Sequence, residues 1–203
     1  MKTILTVIFS TLILPLVAQH VAKTTIYSAK MKKNIETIII TPDIHVGVNY
    51  KTVYILHGYS GNPERTVQED IPNLVDKAKV FQTIYVLPNG NFNSWYVDSP
   101  VDSSSQYSTF IGRELVEYID RNYPTQPRRN ARGILGLNMG DYGALHIGVA
   151  YPQTFSIIGS SCGAIDFNRF GDAYHAYQVD KVLGAFKDLD ARDRIYDNED
   201  KMK

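Results

Sequence analysis

Two spacings of hydrophobic residues alternate along this chain, one of strands and one of helices. The stretches "KTTIYSAKM" (23–31) and "IETIIITPD" (35–43) are rich in Ile and Thr, β-branched residues that favour strands. "KTVYILHG" (51–58) and "QTIYVLPNG" (82–90) are continuous apolar runs that end in turn residues, as strands buried on both faces do. "ARGILGL" (131–137) and "FSIIGSSCG" (155–163) predict two more strands, the second being the last buried one. Between them lie helical patterns. "IPNLVDKAKV" (71–80) predicts a helix with Pro72 in its first turn. "STFIGRELVEYIDRNYP" (108–124) puts Phe110, Ile111, Leu115 and Ile119, with Tyr118 close by, on one face, and Pro124 ends it. "MGDYGALHIGVAYP" (139–152) predicts a third helix. Strands alternating with helices argue for an α/β fold with a mainly parallel sheet flanked by helices. The charged end "FKDLDARDRIYDNEDKMK" (186–203) breaks the alternation.

The N-terminus follows a different logic. "MKTILTVIFSTLILPLVAQH" has a lysine at position 2, an apolar run from Ile4 to Val17 and a small residue at Ala18. That is the layout of a secretory signal peptide. A spanning helix needs about 20 apolar residues, and Pro15 interrupts this shorter run. We therefore expect residues 1–18 to be a signal peptide and 19–203 a single domain, periplasmic or secreted, with no stable membrane insertion after cleavage.

Composition narrows the function classes. The chain has 203 residues, of which 44% are hydrophobic, enough for one domain with a real core. Twenty-one basic residues balance twenty-one acidic ones, so no basic surplus points to nucleic acid. Arg128 and Arg129, with Arg132 nearby, read as a solvated loop before a strand. Cys162 is the single cysteine, which excludes an intrachain disulfide. No metal-ligand cluster and no phosphate loop stands out, so no metal or cofactor is expected.

The chemistry concentrates in "GILGLNMGDYGAL" (133–145), an apolar strand, a glycine-framed turn and a helix. This is the layout of a nucleophile elbow, G-x-S-x-G, with its outer glycines at Gly136 and Gly140. The central position carries Asn138 instead of an attacking hydroxyl. A carboxamide nitrogen is delocalised into its carbonyl and is no useful nucleophile. Asparagine does tolerate positive φ. It also stands where a helix N-cap belongs, with Asp141 three residues on, a cap worth about 1 kcal/mol.

Together "YILHGYSGN", "IYVLPNGNFNSWYVD", the long helix, the elbow segment and the late "VLG" resemble the esterase family of α/β-hydrolases. That family holds esterase D (S-formylglutathione hydrolase), tributyrin and feruloyl esterases and the antigen 85 mycolyltransferases. The resemblance runs from about Thr25 to Ala185. It implies ester hydrolysis or acyl transfer on a small-molecule or polysaccharide-linked ester, with the Tyr59 and Met139 backbone N–H groups as the oxyanion hole. Trp95 and His57 become candidate substrate contacts, although Trp95 also reads as packing and His57 as a structural part of the H-G turn. Asp98 and Asp102 read as solvated loop acids, and His146 as packed or solvent-facing.

Two departures matter. Family members read close to G-L-S-M-G-G-Y-G, so a serine has become Asn138 and a glycine Asp141. The family's acid and histidine lie beyond the elbow, and this sequence stops before them, leaving His175 as the one loop histidine that could act as a base. The fold expected is an α/β-hydrolase truncated at its C-terminal edge, open to self-association through an exposed strand. Three functions stay open: an impaired esterase by descent, a non-catalytic binder of acylated carbohydrate or ester in the old cleft, and a decaying gene product.

Overall fold

The computed structural model describes residues 20–161 and Gly163. The signal-peptide reading, Cys162, His175 and the charged end lie outside these residues.

Among the described residues six strands form one sheet in the order β1-β2-β4-β3-β5-β6. The Ile- and Thr-rich stretches become β1 (Val21–Ser28) and β2 (Lys33–Ile40), an antiparallel hairpin in register from Ser28↔Lys33 to Val21↔Ile40. β3 (Lys51–Leu56) and β4 (Thr83–Pro88) follow, and all six residues of β4 are buried. β5 (Arg132–Gly136) lies beside β3, and β6 (Ile157–Gly159) beside β5. The pairs β3–β4, β3–β5 and β5–β6 are parallel, while β2 joins β4 antiparallel. The sheet is thus mixed and mostly parallel. Its parallel half is built from crossovers carried by helices, as that geometry requires.

The helices cover the two faces unequally. The short α1 (Pro63–Arg65) leads through a π-helical turn and a bend to α2 (Leu74–Phe81). α2 buries Leu74 and Ala78 against Ile38, Ile40, Ile55 and Leu87. The other face is covered by α3 (Tyr107–Thr109), α4 (Val116–Asn122) and α5 (Met139–Ala150). There Phe110, Ile111, Leu115 and Ile119 meet Tyr54, Leu56 and Ile134 in the larger core cluster.

Four details depart from the sequence reading. α2 begins at Leu74 behind a turn that joins Leu74 N–H to the Ile71 carbonyl at 3.1 Å, so Pro72 precedes the helix. A π-helical turn, Phe110–Leu115, sits inside the long helix, yet the expected apolar face stays buried. Arg132 is not in a solvated loop: it is buried in β5 and paired with Asp120 of α4, because the central position of β5 carries it under that helix. β6 is short, with Ile157 and Ile158 exposed rather than buried, since it is the edge strand among the described residues.

Candidate functional site

The elbow forms where β5 meets α5. Leu137 N–H reaches the Leu56 carbonyl at 3.0 Å, and Gly140 N–H turns back to the Leu137 carbonyl at 2.9 Å. Asn138 sits between them at φ 55° and ψ −111°, a sparsely populated conformation of the kind kept at functional sites. The framing glycines are required by contact. A Cβ on Gly136 would lie 1.8 Å from the Gly140 carbonyl oxygen, and one on Gly140 would lie 2.2 Å from that of Leu56. The strand and the helix therefore approach as only glycine permits.

Asp141 locks this turn. Its carboxylate closes one half of a capping box at the start of α5, Oδ2 accepting the Asn138 N–H at 2.8 Å. The Asp141 N–H turns back to the Asn138 carbonyl at 3.0 Å. The second carboxylate oxygen accepts the Ser161 N–H at 3.0 Å, which ties the elbow to the segment after β6. Asp141 is thus wholly buried and acts as a staple.

The Asn138 side chain faces the loop after β3. Its Oδ1 accepts the Tyr59 N–H at 3.0 Å, and this donor fixes which way the amide points. The structure therefore brings Tyr59 and Asn138 together. Met139, the first residue of α5, is fully buried, and its Sδ accepts the Trp95 N–H at 3.4 Å.

His57 and Trp95 are both buried, and neither is among the residues that line the cleft beside Asn138. The His57 ring is buried, and its Nε2 accepts the Gly90 N–H at 2.8 Å. That leaves Nδ1 to donate to the Gly58 carbonyl, also at 2.8 Å, so the imidazole is neutral with a fixed tautomer. Burial pushes its pKa below the ordinary histidine value, against the smaller opposing pull of the Gly58 hydrogen bond. The Tyr96 hydroxyl donates to the His57 carbonyl at 3.0 Å. His57 is a positioning residue for the Gly58-Tyr59 turn. Trp95 is only 3% exposed, edge-on to Tyr142 with ring centroids 6.1 Å apart. Trp95 and Tyr96 both take positive φ, 52° and 57°, and this pair of turns folds the indole inward.

Other candidates resolve simply. Asp98 is at the surface and accepts from the backbone N–H and the hydroxyl of Thr109, while Asp102 accepts the Ser104 N–H at 2.8 Å within its own turn. His146 is half-buried and stacked on Tyr142, with centroids 5.8 Å apart. Burial lowers its pKa to about 4, with the Asp98 charge pulling the other way. Among the described residues no three His, Cys, Asp or Glu side chains converge as metal ligands would, and no helix is long and apolar enough to cross a membrane.

The open space lies above Asn138. A cleft of about 430 Å³ is lined by Gly58, Tyr59, Gly61, Arg65, Asp70 and Asn138, together with Leu137. At its side Tyr59 meets Phe92 edge to face, with centroids 4.8 Å apart, and Phe92 is 48% exposed. Sequence reasoning missed Arg65, Asp70 and Phe92. The one signal for Phe92 was a lone aromatic inside the turn-forming run "NGNFNS".

Comparison with known proteins places this geometry. A family model described as "Putative esterase" matches residues 28–198. An acetyl esterase from Caldicellulosiruptor saccharolyticus is 29% identical over 190 residues, covering 81% of this chain and 70% of the relative. An S-formylglutathione hydrolase from Agrobacterium tumefaciens superposes with a TM-score of 0.66 at 17% identity, covering 87% of this chain and 66% of that one. The MPT51 protein of Mycobacterium tuberculosis does so with a TM-score of 0.66 at 21% identity, covering 83% and 63%. The chain thus spans a little under two thirds of each of these two structures.

Proposed function

This chain belongs to the esterase family of α/β-hydrolases, and on that footing we propose that it is an exported protein that receives a carboxylic ester in the cleft between Tyr59 and Asn138. Its chemistry by descent is ester hydrolysis or acyl transfer, and as it stands turnover is severely impaired. One observation carries this reading. The residue at the centre of the elbow, at φ 55°, is an asparagine whose amide oxygen rests on the Tyr59 N–H. The amide cannot attack an acyl carbon. His57, committed to Gly58 and Gly90, is in no position to activate a replacement.

The same contact favours the second reading, a non-catalytic binder of acylated carbohydrate or other esters. A carbonyl-type oxygen already sits against the Tyr59 donor, so the turn retains its capacity to hold one. Export rests on the layout of residues 1–18 and would show as a mature chain that begins at Gln19 by N-terminal sequencing.

The test is turnover of p-nitrophenyl acetate together with labelling by a fluorophosphonate probe. We expect neither from the purified chain. Asn138→Ser alone is expected to stay at the residual rate that binding and oxyanion contacts provide without a complete triad. Labelling of the unmodified chain at Ser60 would move the nucleophile away from position 138. Vigorous turnover by Asn138→Ser would show that the chain holds a working base, with His175 the first residue to substitute next.

A further inference from the structure

We propose that Asn138 is a site of self-modification, at which the elbow converts its own asparagine to aspartate. The side-chain amide closes onto the main-chain nitrogen of Met139, loses ammonia and reopens as a carboxylate. The inference uses the geometry of the turn alone and stands or falls independently of the ester-binding reading.

The backbone sets up the ring. At ψ −111° the Cα–Cβ bond of Asn138 nearly eclipses the C–N bond to Met139, the arrangement that a five-membered imide requires. Regular helices and strands hold ψ far from it, so folding usually protects an asparagine amide. Here the strained turn does the opposite. The attacking nitrogen is available as well. Met139 opens α5, and its N–H is one of the first helix donors, with no acceptor among the described residues. The carbonyl is activated too. Asn138 Oδ1 accepts the Tyr59 N–H at 3.0 Å, so a donor already faces the oxygen on which negative charge grows when Cγ is attacked. Asn138 is exposed in the cleft, where ammonia leaves and water enters.

The atoms balance at each step. Met139 N gives its proton to solvent base and bonds to Asn138 Cγ. The Cγ–Nδ2 bond breaks, and Nδ2 takes a proton from water and departs as ammonia. Water then adds to the Cγ carbonyl of the imide, the bond to Met139 N breaks, and that nitrogen regains its proton. The net change replaces an amino group by a hydroxyl, and the new acid ionises to add one negative charge. Opening at the main-chain carbonyl would instead give isoaspartate and add a methylene to the main chain. The turn framed by Gly136 and Gly140 has no room for it, so aspartate is the expected product. Its charge is held by the Tyr59 N–H and the positive end of α5, against the nearby carboxylate of Asp141. The elbow then carries an oxygen nucleophile where the amide was none.

Asn89 serves as the internal standard. It precedes Gly90, the least hindered neighbour for imide closure, and so leads in an unfolded chain. In the fold the Gly90 N–H is instead held by His57 Nε2 at 2.8 Å. The experiment incubates the full chain in neutral buffer made with heavy-oxygen water, folded and in urea, and follows both asparagines by peptide mass mapping. We expect Asn138 to lead in the folded chain and Asn89 in urea. Asn138 should convert at least about tenfold faster folded than unfolded, a small part of what one oxyanion donor is worth. The product should carry one heavy oxygen and co-elute with Asn138→Asp on ion exchange. Asn138→Gln keeps an amide but needs a larger ring, and should stay unconverted at this position. Slower conversion of Asn138 in the folded chain than in urea would overturn the proposal, as would Asn89 leading in both. Isoaspartate as the main product of the folded sample would overturn it too, by placing the reaction in unfolded molecules.

Discussion

Among the described residues the two faces of the sheet are closed to different degrees. On the face under α4 and α5, Tyr54, Leu56, Ile134, Met139, Ala144, Ile147 and Phe155 are all essentially without exposure. On the opposite face α2 covers β2, β4 and β3 and goes no further. Leu135 there is half-buried, and Ile157, which the register puts on the same face, is 67% exposed. The elbow is held on the closed side, where backbone meets backbone at glycine distance and nothing can give. Among the described residues the far end of the open side is a short edge strand.

The sharpest way to break this comparison is to add one methyl group to each side. Gly140→Ala places a Cβ 2.2 Å from the Leu56 carbonyl oxygen and 2.9 Å from that of His57, both backbone atoms fixed by the sheet. We expect a loss of about 3 kcal/mol or more in urea denaturation, at the upper end of overpacking costs. Gly133→Ala is the partner experiment. Its Cβ would meet Val53 at 3.6 Å and Ile157 at 3.7 Å, ordinary contacts on the open face. That change should cost less than about 1 kcal/mol. Equal costs would show that the two faces are equally tight.

Acid should find the closed side next. His146, stacked on Tyr142, belongs to it, and burial holds it below the ordinary histidine value near 6.5. With its folded pKa depressed, such a group binds more protons in the unfolded chain, so stability rises with pH through that window. The contribution is complete above about 6.5 and is lost as pH falls toward the folded value, about 4 for His146. Between pH 7 and 5 we expect about 1–2 kcal/mol of loss from His146, allowing for its partial exposure and the opposing Asp98 charge. Thermal melts across this range, repeated on His146→Phe, measure it. The variant keeps a ring on Tyr142 and should show a flatter profile; an unchanged profile would remove His146 as a cause.

How much of this was legible in the sequence depends on which force decided each residue. Apolar runs and turn residues marked all six strands and the main helices, because local pattern and burial agree there. Gly136 and Gly140 announced the elbow, and Asn138 its positive φ. The burial of Trp95 and His57 comes from two consecutive left-handed residues and from the Gly90 N–H, neither written in any local pattern. Arg132 looked solvated beside Arg128 and Arg129. Its partner Asp120 is twelve residues earlier, on a helix whose placement only the sheet decides. Phe92 was silent for the opposite reason: a single aromatic among asparagines has no periodicity to read.

The smallest effect is expected on the open side, and it decides whether that side is open in the whole chain. Ile157 lies on the edge strand, paired only with β5 among the described residues, and projects from the face that α2 leaves bare. An apolar edge of this kind invites pairing with another copy, and a lysine there blocks it. Ile157→Lys should therefore lower the self-association measured by light scattering during size exclusion. An exposed substitution changes stability by about 0.5 kcal/mol at most, so the melting temperature should move by no more than about 2 °C. A clean monomer before the substitution, with a fall of many degrees after it, would mean that chain outside the described residues covers Ile157. The two faces would then be closed alike, and the contrast drawn from them would belong to the described residues alone.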